Sequence, residues 1–310
     1  MASTRCRIGL VGAGAAATQH AATLAGFHDV VVVGVTDPDI GAAARLAGTV
    51  GAAVAPDLAA LLAMSPDAVY VCIPPLAHGP VEDAILDAGL PFYVEPPLSL
   101  DTALPTRIAA RVAATGVATA VGHHWRYSTA VLRAAEALAE RPVRLVSGAW
   151  LAAIPPAGLS GGLVVDQVVH LLDLARALAG EVREVYAVSH QDPDGATAAT
   201  LRFTSGAVGA LAATSRLDQT RKVGLDIYAE GASVSVTENG CEIRVGDRTE
   251  RHAVDAALAR RAIDRAFVSA VRRRAYRAGV LVDYVDGVRS HLLAMGVARS
   301  AAAGYPVRLG

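Results

Sequence analysis

Hydrophobic runs and helical stretches alternate through the first third of the chain. An apolar run over 6–11 is followed by an alanine-rich stretch over 15–25 and then by four valines at 30–33. This order predicts a strand, a helix and a second strand. Because the strands are continuously apolar and helices separate them, we expect a buried parallel sheet.

The same alternation continues to about residue 121. It predicts helices over 40–47, 58–63 and 81–88, and strands over 68–73, 92–95 and 117–121.

The pattern changes near His123, where strand-like runs begin to follow one another without helices between them. After helices at about 128–140 and 163–179, strands are predicted over 182–190, 197–204, 207–215, 223–230 and 232–236. Two more helices are predicted at about 255–277 and 283–303. Consecutive strands indicate an antiparallel or mixed sheet, so we predict two domains, 1–122 and 123–310.

Composition narrows the classes of partner. Of the 310 residues, 53% are hydrophobic and 18% are charged, which excludes a disordered chain, and a net charge of -1 gives no overall field for nucleic acid. A basic stretch over 260–274 is interpreted as a solvated helix face, because apolar residues alternate with its arginines at helical spacing. We expect a small-molecule partner and no nucleic acid.

Neither a membrane nor a metal is expected from the sequence. No apolar run reaches the roughly 18 residues that span a bilayer, so we expect no membrane partner and a cytoplasmic protein. The three cysteines, Cys6, Cys72 and Cys241, are far apart and lack the spacing of metal ligands. We interpret them as reduced, mostly buried thiols.

A glycine-rich turn follows the first predicted strand and opens the first predicted helix. Its sequence is Gly12-Ala13-Gly14-Ala15-Ala16. Backbone N–H groups at such a turn and helix N-terminus can bind a pyrophosphate. Asp37 ends the second predicted strand, where a carboxylate binds ribose hydroxyls and repels a 2′-phosphate. We therefore expect NAD(H) to be favoured, while Pro38 and Arg45 leave NADP(H) open.

A predicted helix of the second domain carries the chemistry-bearing residues Asp166, His170 and Asp173. Their spacing of four and three residues places them on one face of an α-helix that is otherwise apolar. A histidine flanked by carboxylates is suited to general acid–base catalysis. The alternative is a structural hydrogen-bond cluster, to which Asp173 is the most readily assigned.

These motifs resemble the glucose–fructose oxidoreductase and inositol dehydrogenase family (Gfo/Idh/MocA) along nearly the whole chain. The matching features are the glycine turn, Thr36-Asp37-Pro38, Ile73-Pro74-Pro75 with His78, the Glu95 segment, Gly122 through Tyr127, Asp166 with His170, Ala266-Phe267, and the stretch from Gly304 to Val307. The resemblance implies an α/β chain with a Rossmann domain and a C-terminal α+β domain with an open, mainly antiparallel sheet. It also implies a homodimer or homotetramer.

The resemblance assigns expected roles. Sugars, cyclitols or related compounds would be oxidised or reduced with NAD(P), with His170 and Asp166 as the acid–base pair. The cofactor would be bound by the glycine turn and Asp37, together with Ile73, Pro74, His78, Glu95 and Pro97. Substrate would be bound by His124, Trp125, Arg126 and Asp173.

One departure from the family changes the expected chemistry. The family usually has Glu-Lys-Pro where this chain has Glu95-Pro96-Pro97, so the lysine that assists proton transfer is missing. Proline has no ionisable group, and the chain's only lysine is Lys222, in the second domain. Reduction of a carbonyl or imine is then easier than alcohol oxidation, because reduction requires only a proton donor.

The segment at the predicted domain junction offers substitutes for that lysine. His123 occupies the family's asparagine position, and Tyr127 or His124 could donate a proton. The alternative for this segment is a polar hinge in which Trp125 and Tyr127 pack between domains. The alternative for His78 is that it caps the helix that follows it. The remaining histidines are interpreted as surface or locally satisfied residues: His20, His28, His190, His252 and His291.

Three functions follow. The first is an NAD(P)-dependent oxidoreductase, acting on a polyhydroxylated compound. The second is a lyase, isomerase or cyclase on the same fold without net redox turnover. The third is a catalytically inactive NAD-binding regulatory protein, against which the presence of both Asp166 and His170 counts.

Overall fold

The computed structural model describes residues 5–153, 160–190, 195–273 and 280–310. The chain forms two compact units, Met1–His123 with Arg260–Val288, and His124–Ala259 with Arg289–Gly310. The first unit therefore ends at residue 123 rather than 122 and includes a late segment of the chain. The end of the helix predicted over 255–277 lies outside the described residues.

Unit 1 contains a parallel sheet in the order β3-β2-β1-β4-β5-β6. The strands are β1 (Cys6–Val11), β2 (Val30–Thr36), β3 (Ala53–Val54), β4 (Ala68–Val71), β5 (Phe92–Val94) and β6 (Thr119–Val121). The helices are α1 (Ala15–Ala25), α2 (Ile40–Val50), α3 (Leu58–Ala63), α4 (Pro80–Asp87) and α5 (Ala103–Thr115). The predicted Rossmann architecture is confirmed, and β3 is the strand of unit 1 that the hydrophobic pattern did not predict.

Unit 2 is built on a mainly antiparallel sheet in the order β14-β13-β12-β11-β7-β10-β9-β8-β15. Its strands are β7 (Val143–Leu151), β8 (Val182–Ser189), β9 (Ala196–Phe203), β10 (Val208–Thr214), β11 (Lys222–Ala229), β12 (Ala232–Thr237), β13 (Gly240–Val245), β14 (Arg248–Ala253) and β15 (Val307–Arg308). β7 and β10 run parallel, and the other neighbouring strands are antiparallel. The predicted mixed sheet is confirmed.

The remaining helices are α6 (Thr129–Leu138), α7 (Val169–Ala179), α8 (Ala256–Arg273) and α9 (Tyr284–Ala303). A π-helical turn, Val164–Val168, precedes α7 inside the single α-helix predicted over 163–179. The α-helical spacing that placed Asp166 on the face of His170 therefore does not apply at Asp166. None of the helices in the described ranges is long and apolar enough to cross a membrane.

The central strand β7 was missed because its own sequence is a poor strand signal. It includes exposed Arg144 and a glycine at Gly148. A Cβ at Gly148 would lie 2.2 Å from Leu211 and 2.4 Å from Leu225 on the neighbouring strands. The glycine thus makes room for leucines that are distant in sequence, which local periodicity cannot reveal.

The two faces of the unit 2 sheet differ. One face contributes Val146, Leu211 and Leu225 to a core that also includes buried residues of α6 and α7. The opposite face exposes large apolar side chains, namely Leu145, Tyr186, Val188, Val208 and Tyr228. Strand register brings several of them together, since Leu145 pairs with both Val208 and Tyr228.

The sequence predicted that the arginines of α8 form a solvated helix face, but several of them contact other side chains. Arg265 and Arg272 pair with Asp29, and the guanidinium groups of Arg261 and Arg265 lie 4.6 and 4.1 Å from the ring centre of Phe27. Helical periodicity identifies the apolar stripe, but arginines at its border have stems long enough to reach partners beside it.

A buried ion cluster in unit 1 joins segments that are distant in sequence. His20 on α1 is 2% exposed, and its Nδ1 and Nε2 lie 2.8 Å from Asp264 Oδ1 and Glu95 Oε1, respectively. The Tyr93 hydroxyl donates a hydrogen bond of 2.8 Å to the same oxygen of Glu95. His20 is therefore locally satisfied, as predicted, although it is not at the surface.

The cluster keeps His20 protonated over the physiological pH range. Burial lowers the pKa of His20, but the charges and hydrogen bonds of Asp264 and Glu95 outweigh burial and raise it to about 10. A histidine whose pKa is higher in the folded chain stabilises the fold fully below its ordinary value of 6.5. That contribution is lost as the pH rises through the folded value.

We predict that His20→Gln lowers the free energy of unfolding by about 3 kcal/mol at neutral to mildly acidic pH, because it removes the cation of a buried ion cluster. The difference in the free energy of unfolding between this variant and the wild type should become smaller as the pH rises from 6.5 towards 10. Urea unfolding at several pH values measures both effects, with the exposed His28→Gln as the control. A gap that stays constant with pH would contradict the charged assignment.

Candidate active site

The glycine turn after β1 has a backbone that requires glycine at Gly12. Its φ is +99°, and a Cβ there would lie 2.0 Å from the Cys72 carbonyl oxygen. The Gly12 N–H donates a 2.8 Å hydrogen bond to the Thr36 carbonyl at the end of β2. The turn is therefore held against the ends of two adjacent strands, which positions the start of α1.

The N-terminus of α1 is open to a ligand. Gly14 is the N-cap residue, no side chain of the described residues accepts a hydrogen bond from the first turn, and Gly14 and Ala15 are exposed. A Cβ at Gly14 would lie more than 4 Å from the heavy atoms of the described part of the chain. Uncapped N–H groups beside open space fit a diphosphate, because the helix dipole favours negative charge there.

Asp37 lies directly after β2 and is hydrogen-bonded to the glycine turn. Its Oδ2 accepts a bond of 2.7 Å from the Ala13 N–H, and its Oδ1 accepts one of 2.8 Å from the Asp39 N–H. Each carboxylate oxygen can accept a further hydrogen bond. Asp37 thus fits the ribose-binding role predicted for it, and the two backbone bonds hold its carboxylate in place.

The other residues predicted to bind the cofactor follow β4 and β5. Ile73, Pro74 and His78 come after β4, and Glu95 and Pro97 come after β5. Because the carboxyl ends of parallel strands meet at one edge of the sheet, these segments share the edge where the glycine turn lies.

His78 is buried next to Gly79, the N-cap residue of α4, and it contacts the helix through the Glu82 side chain without capping a backbone N–H itself. Its Nδ1 is hydrogen-bonded to Glu82 on α4, whose other carboxylate oxygen accepts a 2.6 Å bond from the Gly79 N–H. Among the described residues, its Nε2 has no hydrogen-bond partner. The cofactor role of His78 therefore remains a prediction that depends on this second nitrogen.

Glu95 is packed closely at the end of β5. A Cβ at Gly122 would lie 2.5 Å from Glu95 Oε1, so glycine is needed for this approach. The side chain is 23% exposed and holds His20 and Tyr93 with the same oxygen. The following peptide, Pro96-Pro97, is cis.

The segment predicted as the domain junction is divided between the two units. His123, in unit 1, is 2% exposed, while Tyr127, in unit 2, is 7% exposed. His124 and Trp125 are half-buried in a short 3-10 helix, His124–Tyr127. Exposure alone thus makes His124 a better proton donor to a ligand than either buried residue.

His170 is half-buried among aromatic rings in unit 2. Its ring centre lies 6.2 Å from that of His124 and 6.5 Å from that of Trp150. Asp166 is also half-buried, and its Oδ2 accepts a 2.8 Å hydrogen bond from the Gly161 N–H. Asp166 lies in the π-helical turn, a feature often found at functional sites.

Asp173 belongs to a buried hydrogen-bond network. It is 1% exposed, and Arg126 donates two hydrogen bonds to it, of 2.8 and 2.6 Å. The Ser290 hydroxyl donates a third, of 2.6 Å, and accepts one of 2.7 Å from Arg176. The contacts of Asp173 and Arg126 match the structural alternative stated for Asp173.

The sequence did not identify the structural roles of two residues, Trp150 and His20. Trp150 lies beside His170 but is on β7, the strand that was not predicted. His20 could have been recognised, because it continues the buried face of α1 with Ala17, Ala21 and Leu24 at helical spacing. Within the described ranges, no group of three or more His, Cys, Asp or Glu side chains is arranged so that it could hold a metal ion.

Comparison with known proteins agrees with the two-unit structure. A model described as "Oxidoreductase family, NAD-binding Rossmann fold" (GFO_IDH_MocA) matches residues 6–123. A model of the GFO/IDH/MocA C-terminal domain matches residues 135–235.

Individual relatives are named as dehydrogenases. Inositol 2-dehydrogenase 4 of Saccharopolyspora erythraea is 33% identical over 201 residues, which is 62% of this chain and 59% of that protein. Inositol 2-dehydrogenase of Rhizobium meliloti is 29% identical over 182 residues, or 56% and 55% of the two chains. The aligned part of this chain thus spans less than two thirds of these relatives.

A solved structure covers more of the chain. UDP-N-acetylglucosamine 3-dehydrogenase from Acidithiobacillus ferrooxidans superposes with a TM-score of 0.86 and 26% identity, covering 96% of this chain and 98% of that one.

Substitutions at the two glycines of the turn should have different effects. We predict that Gly12→Ala destabilises the fold by about 3 kcal/mol, because its Cβ would clash with backbone and its φ is positive. Gly14→Ala should change stability by less than about 1 kcal/mol while weakening NADH binding, because its methyl group occupies the open space beside the helix N-terminus. Urea unfolding and NADH fluorescence titration measure the two effects. Equal stability losses would contradict this assignment.

Proposed function

The chain belongs to the Gfo/Idh/MocA family of oxidoreductases with an NAD-binding Rossmann fold, and from this premise we propose that it is an NAD-dependent oxidoreductase of a sugar, cyclitol or related polyhydroxylated compound. The observation that carries the proposal is the glycine turn, with an uncapped helix N-terminus and an adjacent Asp37, in a chain that also has a half-buried His170. Binding and acid–base groups are thus both present.

The cofactor role rests on groups of unit 1. The N–H groups at the start of α1 would bind the diphosphate, and the Asp37 carboxylate would accept hydrogen bonds from the ribose hydroxyls. A negative charge at Asp37 favours NAD over NADP, whose 2′-phosphate it would repel. When bound, a nicotinamide dinucleotide supplies or accepts the hydride.

The acid–base role is assigned to His170. Neutral imidazole can accept a proton from a substrate hydroxyl, and imidazolium can donate one to a substrate carbonyl. Asp166 would stabilise the imidazolium form by its charge. Asp173 and Arg126 are proposed to position α7 and the 3-10 helix rather than contact substrate, because their polar groups are already paired with each other.

Pro96 affects the direction of the reaction. Without an ionisable group at this position, removal of a hydroxyl proton depends on His170. Reduction of a carbonyl or imine requires only a proton donor, such as the imidazolium of His170 or His124. We therefore propose that reduction is the faster direction. We do not assign the role of the missing lysine to Lys222, which is exposed and whose Nζ is paired with Asp226 at 2.8 Å.

The same proline favours one alternative function. A lyase, isomerase or cyclase could use His170 and Asp166 without net redox change and would not require the lysine. The alternatives separate in one assay, because net redox turnover changes the absorbance of the reduced nicotinamide and a non-redox reaction converts substrate without that change.

We predict that the protein binds NADH more tightly than NADPH and that His170→Ala lowers turnover by at least about a hundredfold without weakening NADH binding. Nicotinamide fluorescence measures binding, and absorbance of the reduced cofactor in a screen of polyols and their ketones measures turnover. The exposed His28→Ala is the matched control and should retain full activity. Absence of binding to either nucleotide would refute the proposal.

The exposed face of the unit 2 sheet is proposed to join copies of this chain into a homodimer or homotetramer. The large apolar side chains on this face are each at least 40% exposed and lie on β7, β8, β10 and β11 of the same sheet: Leu145, Tyr186, Val188, Val208 and Tyr228. Such an extended apolar face is unusual on a monomer. A second copy would cover it symmetrically.

We predict that the wild type sediments as a dimer or tetramer and that Val208→Glu dissociates it, because a charge would be buried without a partner in the interface. Sedimentation velocity measures the assembly state. Ile40→Glu, at an exposed position of α2 in unit 1, is the matched control and should leave the assembly unchanged. A monomeric wild type would contradict the proposal.

A further inference from the structure

Unit 2 contains a cavity of about 200 Å³. Its lining is more apolar than a ligand with hydroxyl groups on every side would require. We call it the tryptophan pocket, after Trp125 and Trp150, and its other lining residues include His124, Ser128, Val223 and Glu238. Most of the lining is apolar. The volume is enough for about one small ring, since a liquid water molecule takes up roughly 30 Å³.

Strand register explains why these residues meet. Trp150 on β7 pairs directly with Val223 on β11, and the Glu238 N–H donates a 3.2 Å hydrogen bond to the Val223 carbonyl. Both Trp150 and His124 also neighbour His170, with ring centres within 6.5 Å of its own. The tryptophan pocket is therefore adjacent to the residue proposed for acid–base catalysis.

The polar groups of the pocket are one negative charge and one buried hydrogen-bond donor. Glu238 is exposed and is the only residue with a full formal charge among the described lining residues, which include neither arginine nor lysine. The Trp150 indole N–H is buried and has no acceptor in the described part of the chain. A ligand would thus offer an oxygen to the indole N–H and a donor group to Glu238.

We propose that the tryptophan pocket binds the substrate through a saturated ring that carries no anionic group, and that an amine-bearing ring is preferred. The two tryptophan rings in the lining offer apolar surface to the C–H face of such a ring, and both the carboxylate and the aromatic rings attract an ammonium group. A phosphate or carboxylate on the ring would be repelled by Glu238 and would meet no arginine or lysine from the described lining. This inference rests on the proposed function, whose substrate class it narrows to neutral or amino sugars and cyclitols.

The chain offers a direct probe, because Trp125 and Trp150 are its only two tryptophans. Intrinsic tryptophan fluorescence therefore reports on this pocket without requiring turnover or cofactor. The wild type would be titrated with glucosamine, myo-inositol and glucose 6-phosphate. Glucosamine is expected to bind most tightly, myo-inositol more weakly, and glucose 6-phosphate at least about tenfold more weakly than glucosamine.

Two variants test the role of the carboxylate. Glu238→Gln removes the charge at nearly constant size and should weaken glucosamine binding roughly threefold to tenfold while leaving myo-inositol within about twofold. Glu140→Gln removes the same charge from an exposed position that is not among the pocket's lining residues, and it should change neither. Circular dichroism and urea unfolding verify that both variants are folded.

The outcomes separate this inference from the proposed function. Tightest binding of glucose 6-phosphate, no fluorescence response to any of the three compounds, or an equal loss in both variants would overturn the inference even if the protein reduces or oxidises some other polyol. A selective response to glucosamine that depends on Glu238, in a protein without redox turnover, would support the pocket assignment and refute only the oxidoreductase proposal.

Discussion

The contact on which unit 1 most depends is the one between the buried imidazolium of His20 and the carboxylates of Glu95 and Asp264. It joins the helix after the glycine turn, the segment after β5 and a helix from late in the chain. Burying charges costs more than most contacts recover unless every group is paired. In this cluster two ion pairs and the hydroxyl of Tyr93 supply partners to His20 and Glu95, and they link the helix after the glycine turn to the Glu95-Pro96-Pro97 segment.

Near that cluster, polar groups remain available where the proposed function requires them. Within the described ranges no side chain caps the first turn of α1, and the Asp37 carboxylate is held by two backbone bonds without being buried. A helix end of this kind is stable at a surface because water satisfies its N–H groups, and it binds an anion without rearrangement. Gly12 makes the geometry possible, since any side chain there would meet the Cys72 carbonyl.

In unit 2, the degree of pairing separates structural from chemical candidates. Asp173 is buried and fully engaged by Arg126 and Ser290, so its hydrogen bonds hold α7 to its surroundings. His170, three residues earlier, is half-buried among aromatic rings beside the tryptophan pocket. A general acid or base must exchange protons with a ligand, which favours the second environment over the first.

The sequence by itself determined the parallel sheet of unit 1, the change to consecutive strands near His123, the glycine turn with Asp37, and the absence of an ionisable side chain at Pro96, because each depends on residues close together in the chain. Tertiary structure decided the rest. Strand β7 follows from leucines of its neighbours packing over Gly148, the charge of His20 follows from Asp264, which is 244 residues away, and Trp150 joins His170 only through the sheet. Burial and ion pairing depend on which residues distant in sequence come into contact, and local periodicity does not determine those contacts.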